Sequence, residues 1–272
     1  MFDITLNNGV KMPVLGLGVY KTLDPAQMQN AINSALKAGY RSFDTAQMYK
    51  NEDLLGQALL NTDIKRQELF LTSKVDTGNM GYQKTLSSFA DSLEKLQTDY
   101  LDLFLIHWPG QKKERLQETW KALEELYNAK KIRAIGVCNC TSRHLTWIME
   151  NSTAIPAINQ VERHPLLNQA ELITWCAKYQ IHIEAWAPLL RGSFDLPKIT
   201  ALAEKYKKSP AQIILRWDIQ EGVVVIPKSV HEDRIIQNAD IFDFELSPED
   251  MHTLNQMNTG HTTSFDVDSY DF

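Results

Sequence analysis

Eight short apolar runs rich in β-branched residues alternate with amphipathic segments along the chain, and this alternation constrains the fold more than any other feature. The runs are VLGLG (14–18), YRSFD (40–44), LFLTSK (69–74), LDLFLIH (101–107), IRAIGV (132–137), AINQV (157–161), HIEAWA (182–187) and VVVIPK (223–228). Runs this continuously apolar predict parallel strands buried on both faces by helices. Eight such units in 272 residues fit an α/β fold, a (β/α)8 TIM barrel, which takes about 250 residues. A doubly wound nucleotide-binding sheet is the competing architecture. It asks for Gly-x-Gly-x-x-Gly after the first strand, whereas Gly16-Leu17-Gly18 continues as Val19-Tyr20-Lys21.

Ahead of the barrel, FDITLNNGVKMP reads as a β-hairpin reversing at Asn7-Asn8-Gly9. Helix starts are marked by Asp24-Pro25, by Thr141 or Ser142, by Ser209-Pro210 and by Ser247-Pro248. No linker or low-complexity stretch divides residues 1–272, so they are read as one domain. The 28 basic against 34 acidic side chains give a net charge of −6, which argues against a nucleic-acid partner. No run of about 18 apolar residues offers a membrane span, and MFDITLNNGV has no leader pattern, so a cytoplasmic protein is expected. Cys138, Cys140 and Cys176 are too few and too oddly spaced for a disulfide framework or a zinc site, and no metal is expected.

In a barrel of this kind the chemistry sits at the C-terminal ends of the strands. Asp44, Lys74, His107, Asn139, Gln160, Trp186 and Lys228 all end or closely follow the apolar runs. Singly, these residues read as caps, an ion pair, a core histidine or packing; a ring of seven reads as a binding site. Tyr49 follows Asp44 by one short turn and can converge with Lys74 and His107. A nearby ammonium is expected to lower the tyrosine pKa from about 10, with Asp44 holding Lys74 and His107 holding or relaying to a carbonyl oxygen. The set has acid chemistry but no strong nucleophile and no metal cluster, so an electron-carrying cofactor is implied. Lys228, Ser229 and Arg234, around the last strand end and the start of a helix, suit a phosphate. Trp186 suits stacking on a planar ring, and Asn139 and Gln160 suit hydrogen bonding to an amide.

These residues resemble the aldo-keto reductase superfamily along nearly the whole chain. GYRSFDTAQMYKNEDLLGQAL (39–59), KIRAIGVCN (131–139) and VIPKSVHEDRIIQN (225–238) are similar to its three signatures, with LTSK (71–74) and DLFLIHWP (102–109) between them. The resemblance implies an NADPH-dependent reductase of aldehydes and ketones, in which Tyr49 is the general acid and Asp44, Lys74 and His107 complete a tetrad. It implies that Asn139 and Gln160 hold the nicotinamide carboxamide, that Lys228, Ser229 and Arg234 grip the 2′-phosphate, and that Gln237 and Asn238 lie toward adenine. Cys138 replaces a common serine of the cofactor site, and Cys140 a common aromatic. Trp186 stands for the usual tyrosine, as in the branch of bacterial 2,5-diketo-D-gluconate reductases. Tyr20, Met48, Trp108 and Phe265 are expected to wall an apolar substrate cleft, with short loops at 109–115 and 190–197 leaving it open.

Two other readings compete with this one. One is an NADPH-binding regulatory subunit with little turnover, because some members of the superfamily accompany membrane channels. The other is a metal-dependent barrel hydrolase using His107, His144 and His164, which lack the strand-end histidine and carboxylate pairing of ligands. A monomer is expected. The acidic tail FDVDSYDF (265–272) is compatible with covering the site or with fraying.

Overall fold

The computed structural model describes residues 2–269, so the last three residues of the acidic tail lie outside the described residues. The hairpin consists of β1 (Asp3–Thr5) and β2 (Lys11–Pro13), paired antiparallel. Gly9 takes the positive φ of 84° that the reversal requires, and the Leu6 and Val10 main chains close around it at 2.9 Å. Asn7 and Asn8 donate from the hairpin to the carbonyls of Pro156 and Arg133, which ties it across the N-terminal end of the barrel.

The barrel strands are β3 (Gly16–Gly18), β4 (Ser42–Asp44), β5 (Phe70–Val75), β6 (Leu101–Ile106), β7 (Ile132–Cys138), β8 (Ile158–Glu162), β9 (His182–Trp186) and β10 (Val224–Val225). They form one parallel sheet in chain order. Bridges Leu15–Val225 and Gly18–Lys228 join its two edges, so the strands form a (β/α)8 barrel. The closure explains the glycine pair. A Cβ on Gly16 would come within 2.9 Å of the Ser42 hydroxyl, and one on Gly18 within 3.0 Å of the Ile226 carbonyl. The two glycines therefore serve strand approach, not phosphate binding.

Each predicted run overlaps its strand, with β5, β7 and β8 ending one residue later, but β10 is far shorter than VVVIPK. Pro227 has no N–H to give the ladder, and pairing resumes only as the single bridge at Lys228. Alternate strand residues serve two cores. Leu103 and Leu105 of β6 fill the interior with Met12, Phe70 and Ile158, while Phe104 and Ile106 face the helices. Each such buried Leu, Ile or Phe contributes about 1.5–3 kcal/mol. The helix starts fall as predicted: Asp24 accepts from the Gln27 amide, Ser209 from Gln212 and Ser247 from Asp250, and Thr141 caps Ser142–Met149. Among the described residues no helix is long and apolar enough to cross a membrane.

Candidate active site

Asp44 closes β4, and Lys74 lies near the end of the neighbouring β5. The Lys74 ammonium donates to Asp44 Oδ1 at 2.5 Å, to the Thr45 carbonyl at 2.9 Å and to the Tyr49 hydroxyl at 3.4 Å. Its side chain is fully buried. Burial works against its charge, but Asp44 more than offsets this and holds the lysine pKa above its ordinary value.

Tyr49 ends the short 3-10 turn Gln47–Tyr49, whose direction is set by a residue that sequence reasoning passed over. Buried Gln47 donates to the Ser88 carbonyl and the Ser92 hydroxyl, and accepts from the Asp76 amide and from Asn79. The turn is thereby fixed to the helix Tyr82–Leu96 and to the loop after β5. The expectation of a lowered tyrosine pKa is corrected here. Burial pushes the Tyr49 phenol up by more than Lys74 pulls it down, so its pKa is raised. The phenol therefore keeps its proton at neutral pH, as a proton donor requires.

His107 directly follows β6, with its ring edge-on to Tyr49 at 5.5 Å between centroids. Burial, and then the Lys74 charge, hold its pKa well below the ordinary 6.5, so the imidazole is neutral. Its Nδ1 is buried without a hydrogen-bond partner. Asn139 turns out of β7 in the left-handed region at φ 58°. Its amide donates to the His107 carbonyl at 3.0 Å and its oxygen accepts from Trp186 Nε1 at 2.8 Å, which sets the tilt of the indole. The Arg191 guanidinium stands 6.0 Å from the Trp186 ring centroid.

Gln160 lies within β8, not at its end. It donates to Asp44 Oδ2 at 2.9 Å and to Glu184 Oε2 at 2.7 Å, and Cys138 Sγ approaches its oxygen at 3.7 Å. Glu184 was missed in the sequence, although it is the only charged residue in the middle of a barrel-lining apolar run. Burial, reinforced by Asp44, pushes its carboxyl up to about 8.

Beyond β10, Ser229 is buried and accepts the His231 amide at 3.1 Å. Exposed Lys228, and exposed Arg234 on the helix Glu232–Ala239, make no ion pair among the described residues, while Glu232 is taken up by Lys37. Burial lowers the Lys228 pKa. Asn238 is buried and Gln237 exposed on the same helix. This donor set fits an anionic group: two cations without carboxylate partners flank a serine beside a helix start.

The rim brings together Tyr20, 4.9 Å from the Tyr49 ring, exposed Met48, and Trp108, whose ring lies 6.5 Å from Phe265. The tail reaches this rim because Glu162, at the end of β8, binds it. Glu162 accepts from the Thr262 hydroxyl at 2.6 Å and from the Thr263 amide at 2.8 Å, and Asp268 pairs with Arg143 at 2.9 Å. Residues 262–268 thus cross the mouth. His144 and His164 are engaged elsewhere, by Thr141 and Glu162.

Burial pushes the Glu162 carboxyl up, but hydrogen bonds from His164, Thr262 and Thr263 outweigh it and bring its pKa from 4.5 down to about 2. With the folded value depressed, its hold on the tail is complete above pH 4.5 and is lost as pH falls through about 2. Glu162→Gln is expected to expose the tail at neutral pH, seen as roughly tenfold faster limited proteolysis after residue 262, since bonds to a charged acceptor contribute about 1.5–3 kcal/mol. An unchanged cleavage rate contradicts the clamp.

The fold and the matches to known proteins make the chain an oxidoreductase. Residues 14–259 match the model of the Aldo/keto reductase family, and the chain belongs to that family. It is 51% identical over 256 residues to the glyoxal reductase of Bacillus subtilis (strain 168), covering 94% of this chain and 92% of the relative. It is 42% identical over 270 residues to the methylglyoxal reductase DkgA of Escherichia coli (strain K12), covering 98% and 97%. A solved structure of a Gox0644 mutant in complex with NADPH is similar with a TM-score of 0.94 at 38% identity, over 99% of this chain and 98% of that one.

Proposed function

We propose that the protein reduces aldehydes and ketones to alcohols with NADPH, with Tyr49 as general acid and small dicarbonyls such as glyoxal and methylglyoxal among its substrates. The observation that carries the reading is the buried line from Asp44 through Lys74 to the Tyr49 hydroxyl, beside a neutral His107. The family membership, the names of the two relatives and the NADPH in the solved neighbour support it.

When bound, NADPH supplies the hydride that goes to the carbonyl carbon. Tyr49 gives its phenolic proton to the carbonyl oxygen. Lys74 favours the resulting phenolate by charge, and Asp44 keeps the ammonium in place. Neutral His107 offers a ring nitrogen to the carbonyl oxygen and so orients it. Asn139, Gln160 and Cys138 would line the nicotinamide side, with the Trp186 indole as stacking surface. Lys228, Ser229 and Arg234 would hold the 2′-phosphate, with Gln237 and Asn238 toward adenine. Tyr20, Met48, Trp108 and Phe265 shape the carbonyl cleft.

The test is NADPH oxidation by the purified protein with glyoxal, methylglyoxal, aromatic aldehydes and keto-sugars. Turnover of several of these is expected, because the segments at 109–112 and 193–196 are short and leave the tail 262–268 to cover the cleft. Tight NADPH binding without turnover of any carbonyl would replace this reading with that of a cofactor-binding regulatory protein. Arg234→Ala is expected to raise the NADPH Kd about tenfold or more, the equivalent of one charge-assisted contact, while shifting NADH by less than about threefold. Equal shifts for both would place the phosphate elsewhere.

A further inference from the structure

Glu184 is an acid in the barrel interior that the proposed mechanism does not use. Its register partner across the β8–β9 ladder is Gln160, so both side chains leave the sheet on the same face. Glu184 is fully buried, and its Oε1 has no hydrogen-bond partner. Such a group is a burden on the fold, since an apolar side chain of equal volume would leave no oxygen unsatisfied. Among the described residues its one hydrogen bond comes from the Gln160 amide. The two hydrogens of Gln160 Nε2 go to Glu184 on one side and Asp44 on the other, and the Asp44 second oxygen carries Lys74. The Asp44 carboxylate can only accept, which excludes the flipped amide.

We propose that Glu184 is a positioning residue, which locks the Gln160 amide so that both N–H groups face carboxyl groups and only Oε1 remains for a bound cofactor. The inference rests on the cofactor site proposed above. The groups facing Glu184 are Asp44, Lys74, Gln160 and Cys138. Burial keeps the carboxyl protonated at neutral pH, which makes glutamine its close mimic.

NADPH affinity, read by tryptophan fluorescence, separates the possibilities. Glu184→Met is expected to raise the NADPH Kd about tenfold, the loss of one well-placed hydrogen bond, while Glu184→Gln stays within about threefold. The carbonyl KM at saturating NADPH should stay within about twofold of wild type in both, and Glu184→Met should melt no lower than wild type. Gln160→Met and the double variant with Glu184→Met should lose affinity equally, because Glu184 acts only through Gln160. Unchanged affinity in Glu184→Met, failure of Glu184→Gln to rescue, marked destabilisation of Glu184→Met, or additive losses in the double variant would each overturn the inference and leave the reductase reading standing. Wild type that does not bind NADPH would overturn both.

Discussion

Tyr49→Phe is expected to lower kcat for carbonyl reduction by on the order of 10³-fold, within the range attributed to a general acid. The phenylalanine ring keeps the contacts with Tyr20 and His107 and removes only the hydroxyl that Lys74 approaches at 3.4 Å. NADPH affinity should therefore stay within about twofold, and the loss should appear in the chemical step in single-turnover measurements. The raised phenol pKa carries a second expectation. Tyr49 stays protonated throughout the neutral range, so reduction should show no alkaline decline from this group below the pKa of a free tyrosine, about 10. Turnover retained by Tyr49→Phe would remove the tyrosine from the mechanism, and His107, although neutral, would be the next donor to test.

What the sequence made visible and what it hid divide along one physical line. Hydrophobic period, turn residues and helix caps act over a few residues, and from them came the eight strands, the hairpin and the helix starts at Asp24, Ser209 and Ser247. The strand-end rule then singled out Asp44, Lys74 and His107, which do converge with Tyr49. Hidden were the features set by contacts far apart in the chain. Gln160 meets Asp44 across 116 positions, and Thr262 meets Glu162 across 100. Glu162 carries no local mark of its role, and the mark that Glu184 carries, a charge inside an apolar run, does not say what it faces. The Tyr49 pKa was misjudged because a charge partner can be guessed from strand order, whereas the depth of burial opposing it depends on the assembled barrel.

Lys74→Met should be the most damaging single change to the fold at this site. Methionine fills most of the lysine volume, so packing is largely kept, but Asp44 is left with a buried oxygen that had faced the ammonium at 2.5 Å. Breaking one half of a buried pair costs about 3–5 kcal/mol, far more than the net contribution of the pair itself. In urea melts the midpoint should fall accordingly. Adding Asp44→Asn should restore more than half of the loss, because an asparagine oxygen still accepts from Gln160 and no longer needs a counter-charge. Turnover should not return with stability, since the phenol at position 49 would still lack the cation that favours its ionised form, and kcat should remain down by on the order of 10²–10⁴. Stability and activity would thus separate within one double-mutant cycle. If the two substitutions destabilise additively, the uncompensated charge of Asp44 is not what the single variant suffers from. If the double variant regains turnover, Lys74 holds the fold together without assisting Tyr49.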